Sequence, residues 1–221
     1  MDYIKQLFLS RFKTFALVSI SILFSIFLLM IRMKLTYSFF YLFLVWNLFL
    51  AVIPFAITTY LVSLPKLNKY VFILWFCIWL LFLPNAPYII TDLLHLKVST
   101  THLLWLDILV IMAFALTGIM LFYLSINDMK TMLLNLTSKK KANYISSTTI
   151  FLSGFGVYLG RFLRYNSWEI ISNPKVLFID ILNIAVQPFD HQEAWLFTIL
   201  FGLFLTLGYC IFNQTIKQDT I

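Results

Sequence analysis

Apolar residues run through this 221-residue chain in long blocks, and the charged residues gather in the gaps between them. An uncharged stretch of about 18 residues or more is long enough to cross a bilayer as a helix. Six blocks meet that length and predict spans over about 14–31, 38–62, 70–90, 103–126, 144–162 and 194–212. The second lies within 30 uncharged residues, Leu35 to Leu64, broken by Pro54; tilt, a kink or an interfacial first turn is expected there. The third is continuous only to about Leu83, where Pro84-Asn85-Ala86-Pro87 interrupts it. Its far end is expected to be irregular backbone, which survives at membrane depth only under protein or beside a water-filled cavity.

One further segment is apolar but short. From Pro174 to Gln187 the polar exceptions are Lys175, Asp180, Asn183 and Gln187, and the last three fall on one narrow helical stripe. Asn173 is placed to cap such a helix, Pro174 to occupy its first position and Pro188 to stop it. Its 14 residues would reach about 21 Å, short of a hydrocarbon core about 30 Å thick. An interfacial or re-entrant helix over 174–187 is therefore expected, with a seventh crossing as the alternative. The fold class is all-α: a polytopic integral membrane helical bundle, read as a single transmembrane domain over 1–221.

Composition supports this reading. The chain is 62% hydrophobic and 11% charged, against roughly 25% charged in an average soluble domain. A soluble fold of this size could not hide so much apolar side chain, so a bilayer is the expected solvent and first partner. The aromatic content of 19%, with 24 Phe, suits lipid-facing and interfacial positions. A net charge of +7 has the sign of a nucleic-acid binder, but the Lys and Arg residues lie in short runs between apolar blocks, where they set topology. No nucleic-acid partner is expected.

Two cysteines, Cys77 and Cys210, lie inside apolar blocks; neither a disulfide framework nor a CxxC metal site is indicated. The first block follows Lys5, Arg11 and Lys13, has no small-residue cleavage site and ends at Arg32-Met33-Lys34, so it reads as a retained span. With the N-terminus inside, 10 basic residues fall on the inner side and 6 on the outer, and the Lys139-Lys140-Lys141 run is the strongest marker. Both termini are then expected in the cytoplasm. All 6 glycines lie in apolar blocks, and Gly156-x-x-x-Gly160 has the spacing that lets helix backbones approach.

In this topology the outer side collects the chemistry: His95, His102 and His191, the acids Asp92, Asp107, Glu169, Asp180, Asp190 and Glu193, and Arg161 and Arg164. Asp92 and His95 share a face at i, i+3 if the chain is helical after Pro87, with Tyr88 a turn earlier. A carboxylate beside an imidazole suits a general base with its orienter, or two ligands of a divalent metal; a lip of helix facing water is the bland alternative. Arg161, Arg164 and Trp168 recur at i, i+3 and i+7, one expected helix face leaving the fifth span. Guanidinium forks suit phosphate or carboxylate, while snorkelling to lipid headgroups explains the same residues without a site. Asp107 lies a turn inside the fourth span, functional or merely interfacial. Asp190-His191-x-Glu193 reads as a loop and helix start, and Asn47 as a helix–helix hydrogen bond.

The stretches LPNAPYIITDLLHL and GVYLGRFLRYNSWEI resemble the two signatures of a family of small bacterial multi-spanning membrane proteins, domain of unknown function 1361. The resemblance covers most of the chain and implies a bacterial plasma-membrane protein. It also implies a motif set at Pro84, Asn85, Pro87, Tyr88, Thr91, Asp92, His95, Gly160, Arg161, Arg164, Asn166, Ser167 and Trp168. In that family the second stretch often ends in Asp; here Glu169 stands in that place. No reaction comes with the resemblance.

Three function classes stay open. One is an outer-face site for an anionic lipid-linked or cell-envelope substrate. In it Asp92 and His95 act as acid–base residues, and Asn85, Tyr88, Arg161, Arg164, Asn166 and Trp168 bind substrate. A divalent metal on Asp92, His95 and Glu169 is a weaker version of the same idea, and no other cofactor is indicated. The second class is a transporter or channel component built on the interrupted third span. The third is an accessory scaffold with no site of its own. Oligomeric state is not specified by the sequence.

Overall fold

The computed structural model describes residues 9, 11–64, 68–98, 103–165, 167 and 169–218. Among these the chain forms helices and no strand. They are α1 (Phe12–Thr36), α2 (Phe43–Ser63, entered through a short 3-10 turn, Phe40–Leu42), α3 (Lys69–Phe82), α4 (Asn85–Tyr88), a 3-10 helix (Ile89–Val98), α5 (Leu104–Leu136), α6 (Lys139–Arg161), α7 (Glu169–Ser172), α8 (Pro174–Val186) and α9 (Gln192–Gln218). The chain divides into two compact units, Met1–Met132 and Leu133–Ile221, with the division inside α5.

Among the described residues five segments are long and apolar enough to cross a membrane: Phe12–Thr36, Phe40–Ser63, Lys69–Lys97, Leu104–Leu136 and Gln192–Thr215. On α1 the side chains of Leu17, Ile20, Phe24 and Phe27 are more than half exposed, as are Leu200, Leu203 and Phe204 on α9. Apolar faces of that extent are stable only against lipid. The chain is an all-helical polytopic membrane protein. The expected fifth span, 144–162, is helical but is not among the five; its Lys, Ser and Thr content lowers its hydropathy.

Several helices outrun the uncharged blocks that predicted them. α5 passes the expected end near 126 and continues through Asn127, Asp128 and Lys130 to Leu136. A charge ends a lipid-facing run, but it does not end a helix when a partner neutralises it. Arg11 does so for Asp128, with an Nη1–Oδ2 distance of 2.7 Å. The far end of the third span also differs from expectation. It is a turn at Leu83-Pro84 followed by α4 and ten residues of 3-10 helix, not irregular backbone. Prolines remove N–H donors from the helical ladder; here the Asn85 side-chain amide donates to the Phe82 carbonyl (2.9 Å) and the Tyr88 N–H to that of Pro84 (3.1 Å), so the turn stays hydrogen-bonded.

In lipid no hydrophobic force pushes helices together, so polar pairs and close backbone approach carry their association. Unit 1 shows both. α1 and α5 run antiparallel, joined by Arg11–Asp128 at one end and by a buried Arg32–Asp107 pair (2.9 Å) at the other. Between them the Ser21 and Thr117 hydroxyls share a hydrogen bond of 2.6 Å. The Trp79 indole N–H donates to Ser125 (2.6 Å), fastening α3 to α5. A Cβ at Gly118 would collide with the Ala86 carbonyl, so only glycine lets α4 rest on α5 at this point.

In unit 2 the close approach falls at Gly154, whose added Cβ would sit 3.2 Å from the Thr198 carbonyl and 3.3 Å from the Gly202 nitrogen. A small-residue pair in contact is thus Gly154 with Gly202, between α6 and α9. The hydroxyls of Ser146, Thr149 and Ser153, all buried, donate to carbonyls four residues back (2.8–2.9 Å). Such back-bonding hides a polar side chain inside an apolar setting.

Arg32→Ala would take the ion-pair partner from the buried Asp107 carboxylate and is expected to cost about 3–5 kcal/mol, with Arg32→Met plus Asp107→Leu recovering most of it. Reversible unfolding in mixed micelles measures both. A double variant as unstable as the single one would show that packing, and not charge pairing, accounts for the loss.

Candidate functional site

The polar chemistry of unit 1 begins with α3, whose Asn68 cap accepts the Tyr70 N–H (3.1 Å). Past the Leu83-Pro84 turn, Leu83, Ala86 and Ile89 are fully buried and fix the segment against its neighbours. The following 3-10 helix turns once every three residues, so side chains at i and i+3 stack directly above one another. Asp92 and His95 are such a pair. The geometry brings them together more closely aligned than an α-helix would.

Asp92 is 1% exposed. Its Oδ2 accepts a hydrogen bond from the Asn47 side-chain amide (2.9 Å), which is the helix–helix bond expected of Asn47, and its Oδ1 lies 3.9 Å from His95 Nε2. The imidazole is 35% exposed and packs its ring against Phe43, at 4.9 Å between centroids, and Phe40, at 6.1 Å. One carboxylate oxygen is therefore held and the other faces the imidazole. A carboxylate so buried is out of a substrate's reach, but it can orient the half-exposed imidazole beside it. A distance of 3.9 Å is beyond a hydrogen bond, and such contacts commonly tighten when substrate binds.

Among the other predicted residues of this stretch, Asn85 is half-buried with an amide proton committed to the Phe82 carbonyl, and Thr91 is buried and donates to the Tyr88 carbonyl (2.6 Å). Tyr88 is half-buried on α4. Asp107, a candidate for a functional role, is instead the buried partner of Arg32. Arg32 also donates to the Ser38 carbonyl (3.1 Å) and stands 4.5 Å from the centre of the Tyr41 ring. Sequence reasoning counted Arg32 only as a topology marker. The signal that finds it is spacing: Arg11 and Arg32 are 21 positions apart, and so are Asp107 and Asp128.

The second signature lies in unit 2. Arg161 is the last residue of α6 and half-buried, while Arg164 is exposed and adopts a left-handed backbone, φ 62°. The expected helix face shared by Arg161 and Arg164 does not form. The helix ends at Arg161, and the Tyr165 N–H folds back onto the Leu159 carbonyl (3.1 Å). A left-handed conformation costs a side-chain-bearing residue on the order of 1 kcal/mol, and glycine or asparagine is the usual choice there. Glu169 begins the four-residue α7 and is half-buried. Asn166, Trp168 and His102 lie outside the described residues.

Tyr165 is the residue of this stretch that sequence reasoning missed. Its hydroxyl donates to Asp180 Oδ2 on α8 (2.6 Å). The hydrogen bond to the Asp180 carboxylate, with desolvation and the charges of Asp180 and Glu169 adding to it, pushes the tyrosine up to about 12 from its ordinary 10. α8 itself forms over Pro174–Val186, as expected, with Asn173 at the cap position but no side-chain capping bond. Leu177 and Ile184 are buried, and Asp180 lies on that same inward side. Val176, Phe178, Ile179, Leu182 and Val186 face outward. Trp195 of α9 donates to the Ile184 carbonyl (3.0 Å) and holds the helix end.

Among the described residues no group of three or more His, Cys, Asp or Glu is placed to hold a metal ion; Asp92 and His95 by themselves supply two donors. Cys77 and Cys210 are both free and exposed.

A raised tyrosine contributes stability that is fully present below pH 10 and is lost as pH rises through about 12. The stability gap between the intact protein and Tyr165→Phe is therefore expected to be constant to about pH 10 and to close by about pH 12. Unfolding curves across that range check it; a gap that closes near neutrality would mean that another group is responsible.

No curated protein and no solved structure matches the chain. Residues 46–207 match the family described as Protein of unknown function (DUF1361), a range that includes both signature stretches, and the chain belongs to that family.

Proposed function

We propose that this protein is a multi-pass protein of the bacterial plasma membrane that acts on an anionic lipid-linked or cell-envelope substrate at its outer face, with both termini in the cytoplasm. The observation that carries the proposal is the Asp92–His95 pair. A fully buried carboxylate is held by Asn47 on one oxygen, and its other oxygen is turned to a half-exposed imidazole. In this reading His95 moves the proton and Asp92 orients it, with Asn85 and Tyr88 nearby in sequence as substrate contacts. Arg161 and Arg164, with Asn166 and Trp168, are assigned to recognition of the anion. Support for Arg164 comes from its strained backbone, which a glycine would adopt freely.

The same proposal takes α6 as the fifth crossing in chain order, bringing the total to six. Its 23 residues reach about 34 Å, and the Ser and Thr that lower its hydropathy are buried and back-bonded. Reporter fusions at the two termini test the topology; opposite sides would remove it.

A transporter is the second reading, favoured by the helix broken at Leu83-Pro84 with a buried carboxylate beyond the break. Substrate flux in proteoliposomes without chemical change would select it over an enzyme.

His95→Ala, Asp92→Asn and Arg161→Gln are each expected to lower complementation of an envelope phenotype by at least about tenfold, the first two by up to the roughly 10²–10⁴ that acid–base catalysis contributes. Arg164→Gly is expected to hold or raise thermal stability by up to about 1 kcal/mol while losing the same function. Full complementation by all four variants at normal protein levels would end the proposal.

A further inference from the structure

At the opposite end of α6 from Arg161, three lysines stand in a row. Lys139, Lys140 and Lys141 are all exposed, and among the described residues none of their ammonium groups forms an ion pair. They follow the end of the membrane-crossing α5 by three residues, so they lie at a bilayer boundary. Their position is electrostatically unfavourable within the protein. The first turn of a helix carries partial positive charge, and acids normally stand there; this first turn has no acid. Ser138 already caps the turn by accepting the Lys141 N–H.

The surface beside them is shaped. An open recess of about 530 Å³ is lined by Lys140, Lys141, Tyr144 and Ile145. These four positions are neighbours at i, i+3 and i+4 on one helix face, turned away from the buried face of Ala142, Ser146 and Thr149. Tyr144 is 75% exposed. The recess is lined almost wholly by carbon, from the lysine stems, the Tyr144 ring and the sec-butyl group of Ile145, on a helix face that bears the lysine charges.

We propose that this recess binds the headgroup of an anionic phospholipid, with Lys140 and Lys141 on the phosphate, Lys139 adding charge, and Tyr144 and Ile145 against the glycerol and the first acyl carbons. A free phosphate would use the lysines alone and leave the apolar wall without a role. The site is independent of the Asp92–His95 reading, because it needs no reaction and lies on other residues.

The test uses the full chain in nanodiscs or detergent with phosphatidylglycerol and phosphatidylcholine as probes, counting retained lipid by native mass spectrometry. A preference for phosphatidylglycerol of at least about tenfold is expected. It should disappear in Lys139→Gln/Lys140→Gln/Lys141→Gln and persist in the corresponding triple Arg variant, which also checks folding. A control, Lys13→Gln/Lys34→Gln/Lys175→Gln, removes equal charge elsewhere and should keep the preference. The proposal is overturned if the control loses it equally, if the Gln variant retains it, or if inorganic phosphate displaces the lipid completely at millimolar concentration.

Discussion

The antiparallel pairing of α1 with α5 is the constraint on which unit 1 depends. Each helix carries two charges 21 residues apart, of opposite sign and reversed order, so both ion pairs close in one register. At 1.5 Å per residue the pairs are about 31 Å apart, the thickness of a hydrocarbon core. Between them hydroxyls add to the pairing, with Ser21 and Ser25 both within hydrogen-bond distance of Thr117. A slip by one helical turn would break both ion pairs and leave four charges unpaired near apolar surroundings. Register is therefore specified far more sharply than by apolar packing, which lipid could replace.

Placement of the candidate site follows from that register. With α5 fixed, Gly118 admits the Ala86 carbonyl and Ser125 receives the Trp79 indole, so the segment from α3 through α4 is positioned on both sides of its break. The 3-10 helix then starts at Ile89 and stacks His95 on Asp92, while Asn47 of α2 reaches the carboxylate from the side. Three helices thus determine the direction of one carboxylate. In unit 2 the tight α6–α9 contact at Gly154 and Gly202 plays the corresponding part, and Arg161 marks the point where that contact's helix ends.

Much of this was legible in the residues. Uncharged blocks located every long helix, Pro174 and Pro188 bracketed α8, and the prolines after Leu83 announced the break in the third span. Helix ends were not legible, because Asp128 looks like a loop residue until Arg11 is placed beside it. Asp107 was noticed as a costly charge, but its partner Arg32 lies 75 positions away in sequence, and a hydropathy profile carries no pairing information. The 3-10 geometry of Ile89–Val98 has no compositional mark either. The arginine face failed for a related reason: i, i+3 and i+7 spacing assumes a continuing helix, and the backbone turns left-handed at Arg164.

α8 is arranged inside out by the standards of a water-soluble protein, with its carboxylate turned to Tyr165 and Phe178, Ile179 and Val186 turned away. The Tyr165–Asp180 bond closes the stretch between its two partners, 15 positions apart in sequence, into a loop. The run from the end of α6 through α7 is thereby tethered to the middle of α8 by a single phenol, and releasing it would free the whole connection at once.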